Sequence, residues 1–433
     1  MRVRYIIFTS YIFLLCVVNQ SLAQKANKDL FAANSVLSTG TWYRIATIQD
    51  GVFRISYSDL VQLGVPEPIS STNFRLYGNG GALLPERNCD FRYDDLIENA
   101  VFVKDGGDGF INHNDYILFY GQGTTRWSRS LYNNDYVHQN HYYCDTSYYY
   151  ITFDHGTGKR IQAYPQIVSL PDTVVHKFND HQSHEIDSLN LLKSGRQWFG
   201  EVFNDNLPKE FRFLSPDISY GDTITARINI VARSLQKSAM AYNLAGNLSI
   251  VDSISAIDGN VNSDYGKTRA VTLNALANSD TIMVSLTYNK PEINAVAWLN
   301  YIEILSVRNL VYRGVQMPFR NLKTIGFPVT QFEISNMASS IKVWNITDFA
   351  NISEMPLDIN GSNVLFKSYT DSLNEFIAFD DNNTLKIVVV GRVANQNLHG
   401  CAHANMIVVT HPDFLSEANT IADFHRINDG MTV

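Results

Sequence analysis

Ala404-Asn405-Met406-Ile407-Val408-Val409-Thr410-His411-Pro412-Asp413-Phe414-Leu415 is where this chain of 433 residues changes character. Residues 406–410 make a short unbroken apolar run, which suits a strand buried on both faces of a parallel sheet. His411-Pro412 ends it. From Asp413 the spacing turns helical. Phe414, Leu415, Ala418, Ile421, Ala422 and His425 share one stripe, with Asp413 expected to cap the helix and Asn428-Asp429-Gly430 to stop it. Met431-Thr432-Val433 reads as the opening of a second strand. A parallel strand cannot satisfy its backbone or cover both faces without further strands and helices. The pattern therefore predicts that residues 404–433 are the incomplete start of an α/β domain.

Everything upstream reads as β. Residues 42–48 and 52–57 alternate about Gln49-Asp50-Gly51 and predict a hairpin. Further runs at 74–77, 100–104, 116–120 and 148–153 fill a first β domain. Residues 180–192 are expected to form a short helix or an irregular segment. Evenly spaced runs at 223–231, 248–254, 269–273, 281–288 and 298–307 then point to an antiparallel β-sandwich, and runs at 330–334, 341–343, 364–366, 375–379 and 386–391 to a third β region. The expected class is mainly β, with tandem antiparallel β domains including a β-sandwich. The expected organisation is a signal peptide at 1–23, a linker at 24–40, and β domains at 41–165, 166–315 and 316–403, followed by the α/β start at 404–433.

The address lies at the N-terminus. Arg2 and Arg4 precede an apolar core at residues 6–18, and Ser21-Leu22-Ala23 supplies a small-x-small cleavage site. The apolar core is shorter than the roughly 20 residues a bilayer span needs. Removing it takes the formal net charge from −8 to −10 through the loss of Arg2 and Arg4. With no Lys/Arg cluster, nucleic acid is not expected as a partner. Cleavage leaves Cys89, Cys144 and Cys401, too few for a disulfide framework. One pair is possible, and the residues leave open which.

Three constellations invite chemistry. His399-Gly400-Cys401-Ala402-His403 suggests a nucleophile and its base, but in an extended segment His399 and Cys401 stand roughly 6–7 Å apart along the backbone. A polar linker is the reading preferred. Zinc on His399, Cys401, His403 and His411 matches no familiar spacing. The run from Asp105 through Asp108 to Asn112, Asn114 and Asp115 has the composition of a calcium loop, yet lacks the register and final acidic residue of an EF-hand. A glycine-rich turn is preferred there. The 23 tyrosines and 24 phenylalanines suit sugar platforms, and suit β-sandwich cores better. No residue is assigned a catalytic, cofactor-binding or metal-binding role, and no cofactor is expected.

Several segments together resemble one family. They are residues 405–415 continuing through Ala422-Asp423-Phe424-His425 to Asp429-Gly430, Arg75-Leu76-Tyr77-Gly78-Asn79-Gly80-Gly81, residues 95–100, residues 195–203, Val343-Trp344-Asn345-Ile346-Thr347-Asp348, and residues 393–399. They are similar to segments of the gingipain-like cysteine peptidases, and more narrowly of the type IX secretion system sortases of Bacteroidetes. The resemblance implies a surface enzyme of the outer membrane that cleaves C-terminal secretion signals from exported cargo and joins the cargo to lipopolysaccharide. It implies as partners that cargo, lipopolysaccharide, and an outer-membrane β-barrel with other secretion components. It also implies thioester chemistry on a cysteine, with the catalytic histidine and cysteine downstream of residue 433, so that Cys401 is not the nucleophile. The alternative is a non-catalytic secreted adhesion or carbohydrate-binding protein built of β domains.

Overall fold

The computed structural model describes residues 31–130, 135–336 and 340–433. The signal peptide expected at 1–23 and the first part of the linker lie outside the described residues. The chain forms two compact units. The larger holds residues 43–90 and 98–391; the smaller holds, of the described residues, 31–42, 91–97 and 392–433.

The larger unit is antiparallel β almost throughout, and alternation builds it. In strand Thr223–Arg233 the inward residues Ile224, Ala226, Ile228 and Ile230 are buried, as are Ile282, Val284, Leu286 and Tyr288 of Thr281–Asn289. One sheet runs Lys177–Glu185, Val296–Asn309, Thr223–Arg233, Lys267–Leu276. The other runs Lys209–Leu214, Thr281–Asn289, Ser238–Leu244, Leu248–Ile254. Their inner faces share one apolar core, so the expected β-sandwich is present. Each fully buried Leu, Ile or Val there contributes about 1.5–3 kcal/mol.

Residues 180–192, expected to be helical or irregular, are divided. Their first part belongs to the nine-residue strand Lys177–Glu185, paired in register with Val296–Asn309 from Lys177 opposite Asn309 to Glu185 opposite Tyr301. Its sequence, KFNDHQSHE, is polar on an outer face that is covered, Glu185 by the His138 imidazole and His181 by the Trp127 ring.

The Asp50-Gly51 turn also departs from expectation. Strands Trp42–Thr47 and Gly51–Ser56 do not pair with each other. The first pairs with Ser147–Thr152 and the second with Tyr116–Gly121, in two different sheets. Both strands carry apolar residues for the core between those sheets, where Ile45, Phe53, Ile55, Phe119, Tyr149 and Ile151 meet. The turn therefore carries the chain across the core instead of back along it. The short helix Tyr57–Gln62 follows, its start fixed by a capping box between Ser56 and Asp59.

The linear boundaries near 165 and 315 do not follow the sheets. Gln162–Ala163 pairs in parallel with Ser353–Glu354, Thr173–Val175 with Phe327–Ile334, and Leu385–Lys386 with Gly51–Ser56. The third region packs Phe319, Phe332, Phe366 and Phe376 at its centre, with Phe332 and Phe366 stacked at 5.0 Å and 7°. Val52, Tyr116, Leu118 and Tyr120 of the first region share a cluster with Trp344, Ile352, Ile377 and Phe379 of the third.

In the smaller unit, residues 31–40 are fastened rather than a free arm. Ser35 caps a 3-10 turn at Val36–Ser38, and Leu37 is buried. The Asp95 carboxylate accepts from the Val36 amide at 2.5 Å and the Ser35 hydroxyl at 3.2 Å, while Asn397 Oδ1 accepts from the Ser35 amide at 2.8 Å. Two of the segments that carry the family resemblance thus meet on Ser35.

The expected strand at 406–410 does not form, because nothing pairs with it in a sheet among the described residues. Only its threshold is tied, through the Asn405 and Met406 amides donating to Thr432 O at 2.8 and 3.1 Å. The helix follows as a 3-10 turn, Pro412–Phe414, and then Leu415–Asn428. His411, not Asp413, provides the cap, its ring accepting from the Asp413 amide at 3.3 Å. Proline at the first position pre-sets the turn's φ. Gly430 follows the helix at φ +63°, the left-handed stop that glycine favours.

Candidate functional site

The His399-Cys401 segment does not assemble a catalytic pair. His399 Nδ1 lies 3.1 Å from Ala32 O and 3.7 Å from Asp94 Oδ2. The exposed Cys401 thiol sits 3.6 Å from Asn397 O, and the Gly400 amide donates to Asn397 Oδ1 at 3.1 Å. Cys401 and Gly400 are thus turned onto the nearby Asn397, and His399 onto the distant Ala32 carbonyl and the Asp94 carboxylate. Cys89, Cys144 and Cys401 are all free, so the pairing that the sequence left open is not made. Among the described residues no three His, Cys, Asp or Glu side chains converge as a metal site.

The Asp105 run is a turn between the paired strands Phe102–Lys104 and Tyr116–Gly121. Gly106, Gly107 and Gly109 adopt φ of 66°, 87° and 84°, the left-handed region that glycine enters without steric cost. The loop's own donors occupy its carboxylates. Asp105 accepts from Ser71 Oγ at 2.5 Å and from the Gly107 amide at 3.0 Å, and those bonds hold its carboxyl below the usual range. Asp108 accepts from the Phe110 amide and Asn112 Nδ2, and Asp115 from the Asn112 amide.

Gly78 of the first region serves packing. A Cβ on Gly78 would collide with the Tyr149 ring, so the turn after Arg75-Leu76-Tyr77 requires glycine for close approach. Tyr149 is fully buried, and its hydroxyl accepts from the Gln122 amide at 2.8 Å.

The largest concentration of buried charge lies elsewhere, on residues not singled out from sequence. Strands Arg126–Ser130 and Asp135–Gln139 form a hairpin across the outer face of the sandwich sheet. His138 projects between two carboxylates, with Nδ1 2.6 Å from Glu303 Oε1 and Nε2 2.8 Å from Glu185 Oε2. Its backbone amide donates to Glu303 Oε1 at 2.8 Å, and Arg227 Nε lies 2.7 Å from Glu303 Oε2. The side chains of His138 and Glu303 are only 2% and 3% exposed. Burial opposes charge on His138, but the two carboxylates outweigh it and push its pKa up to about 9. Burial likewise works against ionised Glu303; the hydrogen bonds from His138 and the charge of Arg227 prevail and hold it low.

One strand over, His181 stacks on Trp127 at 4.1 Å and 19°. Burial first, and then the charge of Arg320, drives its pKa well below the usual value, so this second histidine is neutral. Tyr136 points toward the third region, where its hydroxyl lies 3.3 Å from Glu375 Oε1 and Arg320 lies over its ring at 5.3 Å. Both nitrogens of His138 are engaged by carboxylates, so none is free to take a proton from a substrate. The arrangement is a clamp, not a general base.

No family model and no curated protein matches the chain. Among solved structures, the crystal structure of dimeric latent PorU from Porphyromonas gingivalis aligns over 93% of this chain, with a TM-score of 0.79 and 22% identity. A carbohydrate-binding module in complex with calcium and xylotriose aligns over 30% of this chain and 99% of its own, at a TM-score of 0.19 and 11% identity, which carries no argument. This chain spans 38% of the length of that PorU, and over that span its fold is PorU-like.

Proposed function

We propose that this chain is the β-rich front portion of a type IX secretion sortase, which removes C-terminal signals from exported cargo and attaches the cargo to lipopolysaccharide at the outer-membrane surface. The observation that carries the reading is the PorU-like fold over 93% of the chain. Two further features support it. The resembling segments at 95–100 and 393–399 are those whose Asp95 and Asn397 fasten Ser35. The helix Leu415–Asn428 and the run before it leave Ile407, Val409, Ile421, Phe424 and Ile427 exposed, the faces that further strands and helices of an α/β domain would cover.

In this reading the β regions are a scaffold that docks the enzyme to membrane partners and cargo. The thioester-forming cysteine is none of Cys89, Cys144 or Cys401. The test is deletion of the gene in its host, with mass spectrometry of exported proteins. Cargo should accumulate with its C-terminal signal uncleaved and be lost from the surface. Normal processing and attachment in the deletion strain would overturn the proposal.

A further inference from the structure

The hairpin formed by Arg126–Ser130 and Asp135–Gln139 is an insertion between two core strands of the first region, Tyr116–Gly121 and Ser147–Thr152. It makes a two-stranded sheet of its own, with no strand of another sheet paired to it among the described residues. Of its described residues only Tyr136 is a buried hydrophobic side chain. What binds its described residues to the sandwich is a set of charged hydrogen bonds together with ring contacts. His138 holds Glu185 and Glu303, Asn140 just beyond the hairpin donates to Glu185 Oε2 at 2.9 Å, and Trp127 stacks on His181. Segments with few buried apolar contacts open at lower free energy than the core beside them.

The clamp depends on one proton. A charged imidazole donates from both nitrogens and so serves both carboxylates. A neutral imidazole has a single N–H, so one of Glu185 and Glu303 is left facing a lone pair at less than 3 Å. That loss falls where it is hardest to repair, on a side chain screened from water.

We propose that this hairpin is a charge-held strap that lifts from the outer face of the sandwich as a unit when His138 loses its proton, leaving the sandwich and its flanking sheets folded. The groups facing His138 make the event specific. Glu185 and His181 face it from Lys177–Glu185, and Glu303 and Tyr301 from Val296–Asn309, while Arg227 of Thr223–Arg233 backs Glu303. Asp187 lies beyond Glu185, and Arg320 and Glu375 face Tyr136. As pH rises from neutral, His181 is already neutral, its value driven well down by burial and then by the charge of Arg320. Tyr136 and Tyr301 are both pushed above the ordinary tyrosine value, first by burial. The raised value of His138 falls within this range. Because its folded pKa is raised from 6.5 to about 9, its contribution is complete below the unfolded value and disappears as pH rises through the folded one.

The experiment is hydrogen exchange with mass spectrometry on the full chain, from about pH 7 to about pH 10, corrected for intrinsic rates. The strap amides should lose protection with a midpoint near the His138 pKa of about 9. The loss should exceed that of Thr223–Arg233 and Thr281–Asn289 by about tenfold or more. His138→Gln should show the unprotected strap already at neutral pH, with the sandwich strands still protected and little further change on raising pH. Glu185→Gln, which removes one carboxylate and keeps the imidazole, should move the midpoint down. Strap and sandwich losing protection together would overturn the proposal. So would a strap that stays protected throughout, or a His138→Gln strap as protected as the original.

Discussion

The sandwich between residues 177 and 309 and the C-terminal stretch from 404 onward are both rich in apolar residues, but they spend them differently. In the sandwich the apolar side chains alternate along each strand and close on a partner sheet, so Ile228, Val284, Leu286 and Ile302 are 0–1% exposed. In the C-terminal stretch Ala418 and Ala422 are buried, whereas Val409 is 92% and Ile427 80% exposed. Apolar pattern specifies which face of an element is to be covered. It does not supply the cover. The sandwich carries its own second layer within the chain, and the tail covers Ala418 and Ala422 while leaving Ile421, Phe424 and Ile427 exposed.

That contrast is broken or sharpened by substitution. The largest effect is expected from Leu286→Asp, which places a carboxylate without a partner in the sandwich core. The cost of about 4 kcal/mol or more should abolish cooperative unfolding of the sandwich in calorimetry. A well-folded Leu286→Asp chain would contradict the account of that core. Next comes Glu303→Gln, which leaves His138 and Arg227 short of a buried counter-charge. Denaturant titration should give a loss of about 3 kcal/mol, and near-silence would show that the clamp is decorative. The smallest effect belongs to the tail. Phe424→Ser, at a side chain 57% exposed, should change the stability of this chain by no more than about 0.5 kcal/mol. A large loss would mean that the helix's apolar stripe is already packed.

The same contrast explains what the sequence disclosed. Period-two alternation is a local signal, so the sandwich strands at 223–231, 248–254 and 281–288 were legible. Partnership is not local. The parallel contacts of Thr173–Val175 with Phe327–Ile334 and of Leu385–Lys386 with Gly51–Ser56 join residues far apart in the chain, and no short-range pattern announces them. The Asp50-Gly51 turn misled for the same reason, since a turn signal says that the chain reverses and not which sheet receives it. The helix Tyr57–Gln62 carries a readable mark in sequence, Ser56 with Asp59 three residues later.

The buried clamp was the least legible feature. His138, Glu185, Arg227 and Glu303 come from four separate strands, and each alone reads as an ordinary polar residue on a strand. Lys177–Glu185 looked unlike a strand because its alternation is polar on polar, its outer face being met by His138 and the rings of Trp127 and Tyr136. Conversely, the groupings that were conspicuous in sequence, His399 with Cys401 and the Asp105 loop, are not brought together as sites: His399 is held by Ala32 and Asp94, Cys401 faces Asn397, and Asp105 accepts from Ser71 and Gly107. Proximity in sequence marked them, and the structure gives each group a separate partner.

The most direct test of the functional account is to read the coding sequence across codon 433 and express whatever it encodes. The account predicts an open frame that continues strands and helices of a parallel sheet, with a His-Gly pair and a later cysteine at strand ends, and a protein in which replacing that cysteine stops cargo cleavage while Cys401→Ala does not. A stop directly after Val433, or cargo cleavage that depends on Cys401, would contradict it.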